Sequence, residues 1–398
     1  MRWIAGGVTT AVGFLASGVS AGIKRRRKSD LALVVSDTLA SAAGVMTTNR
    51  IQAAPVQLSA RRLRRGTARA ILLNSGCANC LTGPEGVRDA LRLGRSVARA
   101  LGVPEREVLL ASTGLIGRRL PVARMERAIP PLIKGLSRDH HRAAAQAILT
   151  TDRVPKEAAV QARLGGRLCH VGGMAKGAGM IAPSMATMLC VLTTDVAIAP
   201  GLLREALREA TNLTFNRISV DGDMSTNDAV LTLANGRSGV AIRRTAEVKL
   251  FMAMLMAVSA KLAACIVEDG EGASKVMEVQ VVGARTEHEA KRCARQVANS
   301  PLVKTMLAGA DPNVGRIAAA VGASAARFDP DRLDIFLDHR PVVSKGAALH
   351  VGTAMLRSLL AKPRVEVRVD LRAGRARALM VTCDLTEAYV RINAGYSS

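Results

Sequence analysis

The stretch with the most chemical content is 176–195, KGAGMIAPSMATMLCVLTTD. A short loop of small residues, Pro183-Ser184-Met185-Ala186, runs into Thr187 and then directly into the apolar run 188–193. In the plainest reading Thr187 simply starts a buried strand. A second reading makes it a nucleophile. A threonine hydroxyl is weakly nucleophilic at neutral pH and needs a base beside it. Were the Ala186–Thr187 bond broken, Thr187 would gain a free α-amino group, with a pKa of about 7.7–8.0 in peptides. That amine could take the proton of its own hydroxyl at very short range. Spacing alone does not choose between the two readings.

Other polar, glycine-rich clusters sit where apolar strands end, the usual place for sites. They are Asn74-Ser75-Gly76-Cys77-Ala78-Asn79, then 111–117 (ASTGLIG), which can present backbone N–H groups, and Lys176-Gly177-Ala178-Gly179. The last lacks the GK[ST] ending of a phosphate loop. The run 221–228, DGDMSTND, imitates the opening of a calcium loop. Thr226 stands where the turn glycine belongs and Thr232 replaces the closing glutamate, so calcium is rejected. Cys77 and Cys80 make a lone CxxC without a second pair or a nearby histidine, and zinc needs about four ligands. No metal site is expected.

The elements that would position these residues alternate between strand and helix. Strands are expected over 31–36, 68–73, 108–111, 188–193, 276–282, 365–371 and 376–382. Helices are expected over 86–101, 138–150, 201–210, 244–267 and 286–299. The methionines of 244–267 are read as core filler. The pattern is that of a mixed α/β or α+β enzyme.

The 398 residues allow two domains or one large interwoven one. With 1 Trp, 2 Tyr and 5 Phe, the core must be built from Ala, Val, Leu, Ile and Met. Net charge is +24, from 56 basic and 32 acidic residues, which invites a nucleic-acid reading. The charge is spread along the chain, however, with dense clusters only at 24–28 and 61–65. The exposed aromatics that stack on single strands are nearly absent. Neither nucleic acid nor a membrane is expected as a partner. The seven cysteines are odd in number and irregularly spaced, which favours a reducing compartment. The apolar stretch 3–23 imitates a weak signal peptide, although five glycines punctuate it and KRRRK follows.

KGAGMIAPSMATML is similar to the cleavage-site motif of the ornithine acetyltransferases (glutamate N-acetyltransferases) of the cyclic arginine-biosynthesis route. The resemblance continues at ASAAGVMTTNRIQAAPV from Ala40, STGLIGRRLP from Ser112, FNRISVDGDMSTNDAVLTLANG from Phe215 and DGEGASK from Asp269. It goes on through ANSPLVKT from Ala298, ADPNVGRIAAAVG from Ala310 and YVRINAGYSS at the C-terminus. It spans essentially the whole chain in the family's order. GFLASGVSAGIK looks like the family's opening segment, which disposes of the signal-peptide reading.

The resemblance implies a fold of layered sheets and helices shared with self-cleaving aminopeptidases. It implies self-cleavage between Ala186 and Thr187 into segments 1–186 and 187–398, which stay associated, two of each, in a cytoplasmic enzyme. Thr187 would then carry the acetyl group from N-acetylornithine to glutamate, with no metal or organic cofactor. Some such enzymes also acetylate glutamate from acetyl-CoA as a substrate, and no residue here decides that. Thr113 and Gly114 match the oxyanion-hole pair. Lys176, Glu271, Asn393 and Ser398 match substrate contacts. The family's TTDT has become Thr150-Thr151-Asp152-Arg153, so either Thr151 takes over the contact or Arg153 alters affinity. The rival reading is a related N-terminal-nucleophile amidohydrolase that gives the acyl group to water.

Overall fold

The computed structural model describes residues 1–24, 28–182 and 188–395. Its first sheet is built from β1 (Arg2–Ile4), β2 (Phe14–Val19), β3 (Leu31–Met46), β4 (Thr67–Cys77), β5 (Val108–Leu115), β6 (Lys156–Leu164), β7 (Arg167–Lys176) and β8 (Leu189–Thr194). After β9 (Ile218–Ser219), which belongs to the second sheet, β10 (Ala229–Ala234) completes it. The order is β1-β6-β7-β8-β10-β3-β4-β5, with β2 paired to β3.

The 16-residue β3 is shared between two layers. Its first half pairs with β2 and β4, and its second half runs antiparallel to β10, with a register shift between Val35 and Ala40. The sheet therefore folds back on itself. Ala32, Val34, Ile71, Leu73 and Leu109 of one layer share a buried core with Met174, Leu189, Val191, Leu231 and Leu233 of the other. Helices cover both outer faces, so the order is helix, sheet, sheet, helix. Gly83–Leu101 and Val122–Lys134 cover β3–β5. Pro200–Leu213 and Thr245–Glu268 cover β6–β8 and β10.

Local sequence explains these elements. Gly83–Leu101 begins with Pro84 in its first turn, and stops at Gly102, whose φ of +67° suits a residue without Cβ. Ala90, Leu93, Gly94, Val97 and Ala98 lie three or four apart on its buried face. In the 61–65 cluster, Arg62 is buried and bridges Glu105 at 2.6 Å and Val108 O at 2.5 Å. Part of that basic run is thus internal. Strands β8 and β10 are parallel and buried at every position, which is why both are continuous apolar runs broken only by threonines. The 24-residue helix Thr245–Glu268 is long and apolar enough by composition to cross a bilayer. Here Phe251, Met254, Leu255, Val258 and Leu262 are buried in the outer core.

The second sheet lies wholly after residue 217. It adds β11 (Val276–Ala284), β12 (Asp334–Leu337), β13 (Arg340–Ser344), β14 (Ala347–Ala348), β15 (Arg364–Asp370) and β16 (Ala376–Cys383), with β9 at one edge beside β16. Helices Glu287–Asn299, Pro301–Gly309, Gly315–Gly322 and Thr353–Leu360 pack on it around a separate core.

Most expected elements are present. The helix expected over 138–150 is shorter: a single 3-10 turn at Arg138–His140 and a helix over His141–Ala147. It stops there because the following loop is bound to Asp152, whose Oδ2 accepts the Thr150 N–H at 3.0 Å.

Candidate active site

Strands β4 and β5 are parallel, with Asn74, Ser75 and Gly76 opposite Ser112, Thr113 and Gly114. The two polar clusters singled out in the sequence therefore lie side by side. Gly114 has φ +125°, and a Cβ there would fall 2.4 Å from the carbonyl carbon of Gly76 and 2.6 Å from the nitrogen of Cys77. Only glycine fits. The other layer delivers Lys176 at the end of β7, opposite Leu189 of β8. Asn227, just before β10, clamps the layers together: its Nδ2 donates to Ala78 O at 2.7 Å and Ser112 O at 2.8 Å.

These strand ends enclose one pocket. Thr113, Gly114, Thr151, Lys176, Glu271 and Asn393, six of the residues carried over from the resemblance, all line it. Ala78, Ile116, Thr150, Gly179, Met180, Ser225 and Asn227 complete the lining. Ala186, Thr187 and Ser398 lie outside the described residues. The chain on the far side of Thr187 is firmly anchored. Met188 donates its N–H to Asp228 Oδ1 at 3.0 Å, and its carbonyl accepts the Ala229 N–H at 3.1 Å.

Lys176 is only 3% exposed, far from the surface lysine that its type alone would suggest. Its Nζ donates to Thr113 Oγ1 at 3.3 Å. An ammonium can only donate, so this bond leaves the Thr113 hydroxyl proton free to point elsewhere, toward the pocket. Burial lowers the Lys176 pKa from its ordinary value. Asp152 opposes that shift, the nearby Lys156 adds to it, and Asp228 and Glu271 oppose it further. Glu271 is held by its backbone N–H on Ala178 O (2.8 Å), and its Oε2 accepts from Asn393 Nδ2 at 2.7 Å.

Beneath the pocket is a buried ionic group that sequence reading did not find. Lys156 Nζ lies 2.7 Å from Asp152 Oδ1 and 2.6 Å from Asp269 Oδ2, with its side chain fully buried. Asp152 Oδ1 also accepts the Gly177 N–H at 2.7 Å. Burial would raise the Asp152 carboxyl. The charges of Lys176 and Lys156 and the hydrogen bonds from Lys156 and Thr150 outweigh it and hold the carboxyl far below the usual carboxylate range. Asp228 is the opposite case. It is fully buried, its Oδ2 has no partner among the described residues, and desolvation pushes its pKa well up. Only the polar character of 221–228 hinted at it.

Arg153, the departure from the family pattern, does not enter the pocket. Its Nε bonds Asp269 Oδ1 at 2.9 Å and its guanidinium reaches Glu268 O at 3.1 Å, with most of the side chain in solvent. The pocket wall there is Thr150 and Thr151. Cys77, in the polar cluster that ends β4, is buried and faces Arg118 O at 3.2 Å.

The ArgJ family model matches residues 15–398. This chain belongs to the ArgJ family. The "Arginine biosynthesis bifunctional protein ArgJ" of Symbiobacterium thermophilum is 46% identical over 400 residues, covering all of both chains. The protein of the same name from Geobacter sulfurreducens is 46% identical over 96% of this chain and 98% of its own. A solved structure of ornithine acetyltransferase complexed with ornithine, from Mycobacterium tuberculosis, is 39% identical with a TM-score of 0.43. It covers 47% of this chain and 99% of that one. The chain is thus an enzyme of an arginine-biosynthesis family with the mixed α/β, layered architecture described above.

Removing one member of a buried ion group leaves the others uncompensated. Lys156→Met is therefore expected to destabilise the fold at pH 7 by about 3–5 kcal/mol, read by urea unfolding. The pH dependence has a definite sign. Because the folded-state Asp152 carboxyl titrates below its unfolded value, its contribution is complete above about pH 4 and is lost as pH falls further. The deficit of the variant should narrow only below about pH 4.

Proposed function

We propose that this chain transfers the acetyl group of N2-acetyl-L-ornithine to L-glutamate through an acetyl ester on Thr187, after cutting itself between Ala186 and Thr187. The observation that carries this reading is the convergence of Thr113, Gly114, Thr151, Lys176, Glu271 and Asn393 on one pocket. They come from five separate parts of the chain, and the strand that follows Thr187 begins beside that pocket.

In the cut, the Thr187 hydroxyl attacks the Ala186 carbonyl carbon. The C–N bond breaks, the proton passes to the Thr187 nitrogen, and water hydrolyses the resulting ester. The same hydroxyl, with the new α-amine as base, then attacks the acetyl carbonyl of the donor. Thr113 and Gly114 face the developing oxyanion, where a pre-aimed donor contributes about 2.7–4 kcal/mol. Collapse expels ornithine, whose nitrogen takes the proton. The amine of glutamate attacks the ester next and restores Thr187. The substrates are α-amino-acid derivatives, whose α-carboxylate suits the Lys176 ammonium, while Glu271 suits an ammonium. Acyl exchange through an ester calls for no cofactor or metal. Acetyl-CoA, where used, would load the same ester as a substrate.

Segments 1–186 and 187–398 would stay together after the cut. Strands β8 and β10 lie between β7 and β3, so the second segment is hydrogen-bonded to the first on both sides. The assembly proposed is two copies of each segment, in the cytoplasm.

Denaturing mass spectrometry of the 41.8 kDa chain should show two pieces of about 20 and 22 kDa, by proportion of length (186/398 and 212/398). Thr187→Ala should stay whole, and a whole wild-type chain would rule the reading out. Glutamate should accelerate ornithine release and appear as N-acetylglutamate, whereas an amidohydrolase would release acetate regardless of glutamate. Thr113→Val is expected to lower kcat about 100-fold or more in steady-state assays. Arg153→Thr should leave KM for N-acetylornithine unchanged, because the arginine faces Asp269. It should cost about 1 kcal/mol or less in urea unfolding, as expected of an exposed partner.

A further inference from the structure

The last helix of the described chain, Glu387–Ala394, has no buried residue. Eight residues are too few to be stable as an isolated helix. Apolar burial holds it only in part: Ala388 and Tyr389 are half-buried, while Val390 is 62% exposed and Ile392 38%. A small set of polar contacts adds to this. Thr386 Oγ1, just ahead of the helix, donates to Gly272 O at 2.7 Å. Asn393 Nδ2 donates to Glu271 Oε2 at 2.7 Å. Tyr389 donates its hydroxyl to Asp221 Oδ2 at 3.2 Å.

The three contacts are not equivalent. Glu271 is the carboxylate assigned above to a substrate ammonium, so Asn393 shares its partner with the ligand. The Thr386 bond lies outside the helix. Among the described residues, the Tyr389 hydroxyl makes the one side-chain hydrogen bond from the helix to a residue that does not line the pocket. Its acceptor is also fixed from another direction. The Asp221 carboxylate takes the N–H groups of Met180 (2.6 Å) and Ile181 (2.8 Å), and Asp223 N approaches at 3.3 Å. Met180, held at φ +55°, lines the pocket. Asp221 therefore ties the C-terminal helix to the pocket wall at 180–181. Packing at Gly272 leaves little play, because a Cβ there would lie 2.5 Å from the backbone nitrogen of Tyr389.

We propose that Tyr389 is a positioning residue: its bond to Asp221 pins the C-terminal helix so that Asn393 closes the Glu271 side of the pocket over a bound amino acid. Tyr389 does not touch the substrate. Its hydroxyl sets how long the helix stays down, and hence how tightly the amino acid is retained. The partial burial of the ring and, after it, the Asp221 charge both disfavour the phenolate, which keeps the hydroxyl a donor throughout the neutral range. This inference rests on the proposed function for the identity of the ligand.

The test is Tyr389→Phe, which keeps the ring and removes one hydrogen bond to a charged acceptor. Two readouts decide it, both made on the full-length protein as purified. Amide hydrogen exchange over 387–394, measured without ligand, is expected to quicken about tenfold. The Kd for ornithine, measured by calorimetry, is expected to rise about fivefold or more. Cleavage and kcat at saturating substrate should match wild type. Faster exchange with an unchanged Kd would overturn the positioning role, and so would a weaker Kd with unchanged exchange. A fall in kcat at constant Kd would instead place Tyr389 in the chemistry and also overturn it. Failure of the proposed function is separate: it would show as a wild-type chain that is neither cut nor able to turn over N-acetylornithine, while the exchange readout would still report on the latch.

Discussion

The pocket depends on one buried carboxylate, Asp152. It accepts the N–H of Thr150 on one side and of Gly177 on the other, so it fixes two walls of the pocket at once. It is also a countercharge for two buried lysines. Lys156 bonds it directly, and Lys176 feels it through space. Lys176 sits in a dehydrated site, and its ammonium persists only if nearby negative charge offsets the cost of burial. A direct ion pair with Asp152 would satisfy that need but consume the cation. Here the direct pair is given to Lys156, which Asp269 also binds, and Lys176 keeps its donors for Thr113 and the pocket it lines. The arrangement separates an ammonium locked in a buried ion group from one that lines the pocket twenty residues later in the chain.

Interleaved strands explain how a cut chain could keep such a site. Thr113, Gly114, Thr151 and Lys176 come from the first segment, and Asn227, Glu271 and Asn393 from the second. The layers approach closely because their shared core is built largely from Ala, Val and Leu rather than aromatics. Asn227, reaching from one layer to the Ala78 and Ser112 carbonyls of the other, ties the end of β5, where Thr113 and Gly114 lie, to the start of β10.

Much of this was legible in the sequence, and for physical reasons. The buried parallel strand β8, the amphipathic Gly83–Leu101 helix and the apolar Thr245–Glu268 helix announce themselves through local pattern. The second half of β3, ASAAGVM, does not, since small residues pack between two layers without an alternating signal. The β6–β7 hairpin escaped notice as well, although Gly165-Gly166 marks its turn with positive φ at both positions. The clusters that hold Thr113 and Lys176 were visible as polar, glycine-rich strand ends, but the roles of Thr113, Lys176 and Glu271 came only through resemblance, because nothing local distinguishes a pocket lysine from a surface one. Lys156 and Asp269 lie 113 positions apart and carried no signal at all. Arg153 looked disruptive beside Thr151 until its own partner, Asp269, came into view.

The proposed function turns on an acetyl group that rests on Thr187 between donor and acceptor. Purified enzyme mixed with N-acetylornithine in the absence of glutamate, quenched in acid and digested, tests this directly. An acetyl ester is expected on the side chain of Thr187, in a peptide that begins at that residue, and it should disappear when glutamate is added before the quench. An enzyme that turns over fully, yet never carries acetyl on Thr187 at any quench time, would contradict it.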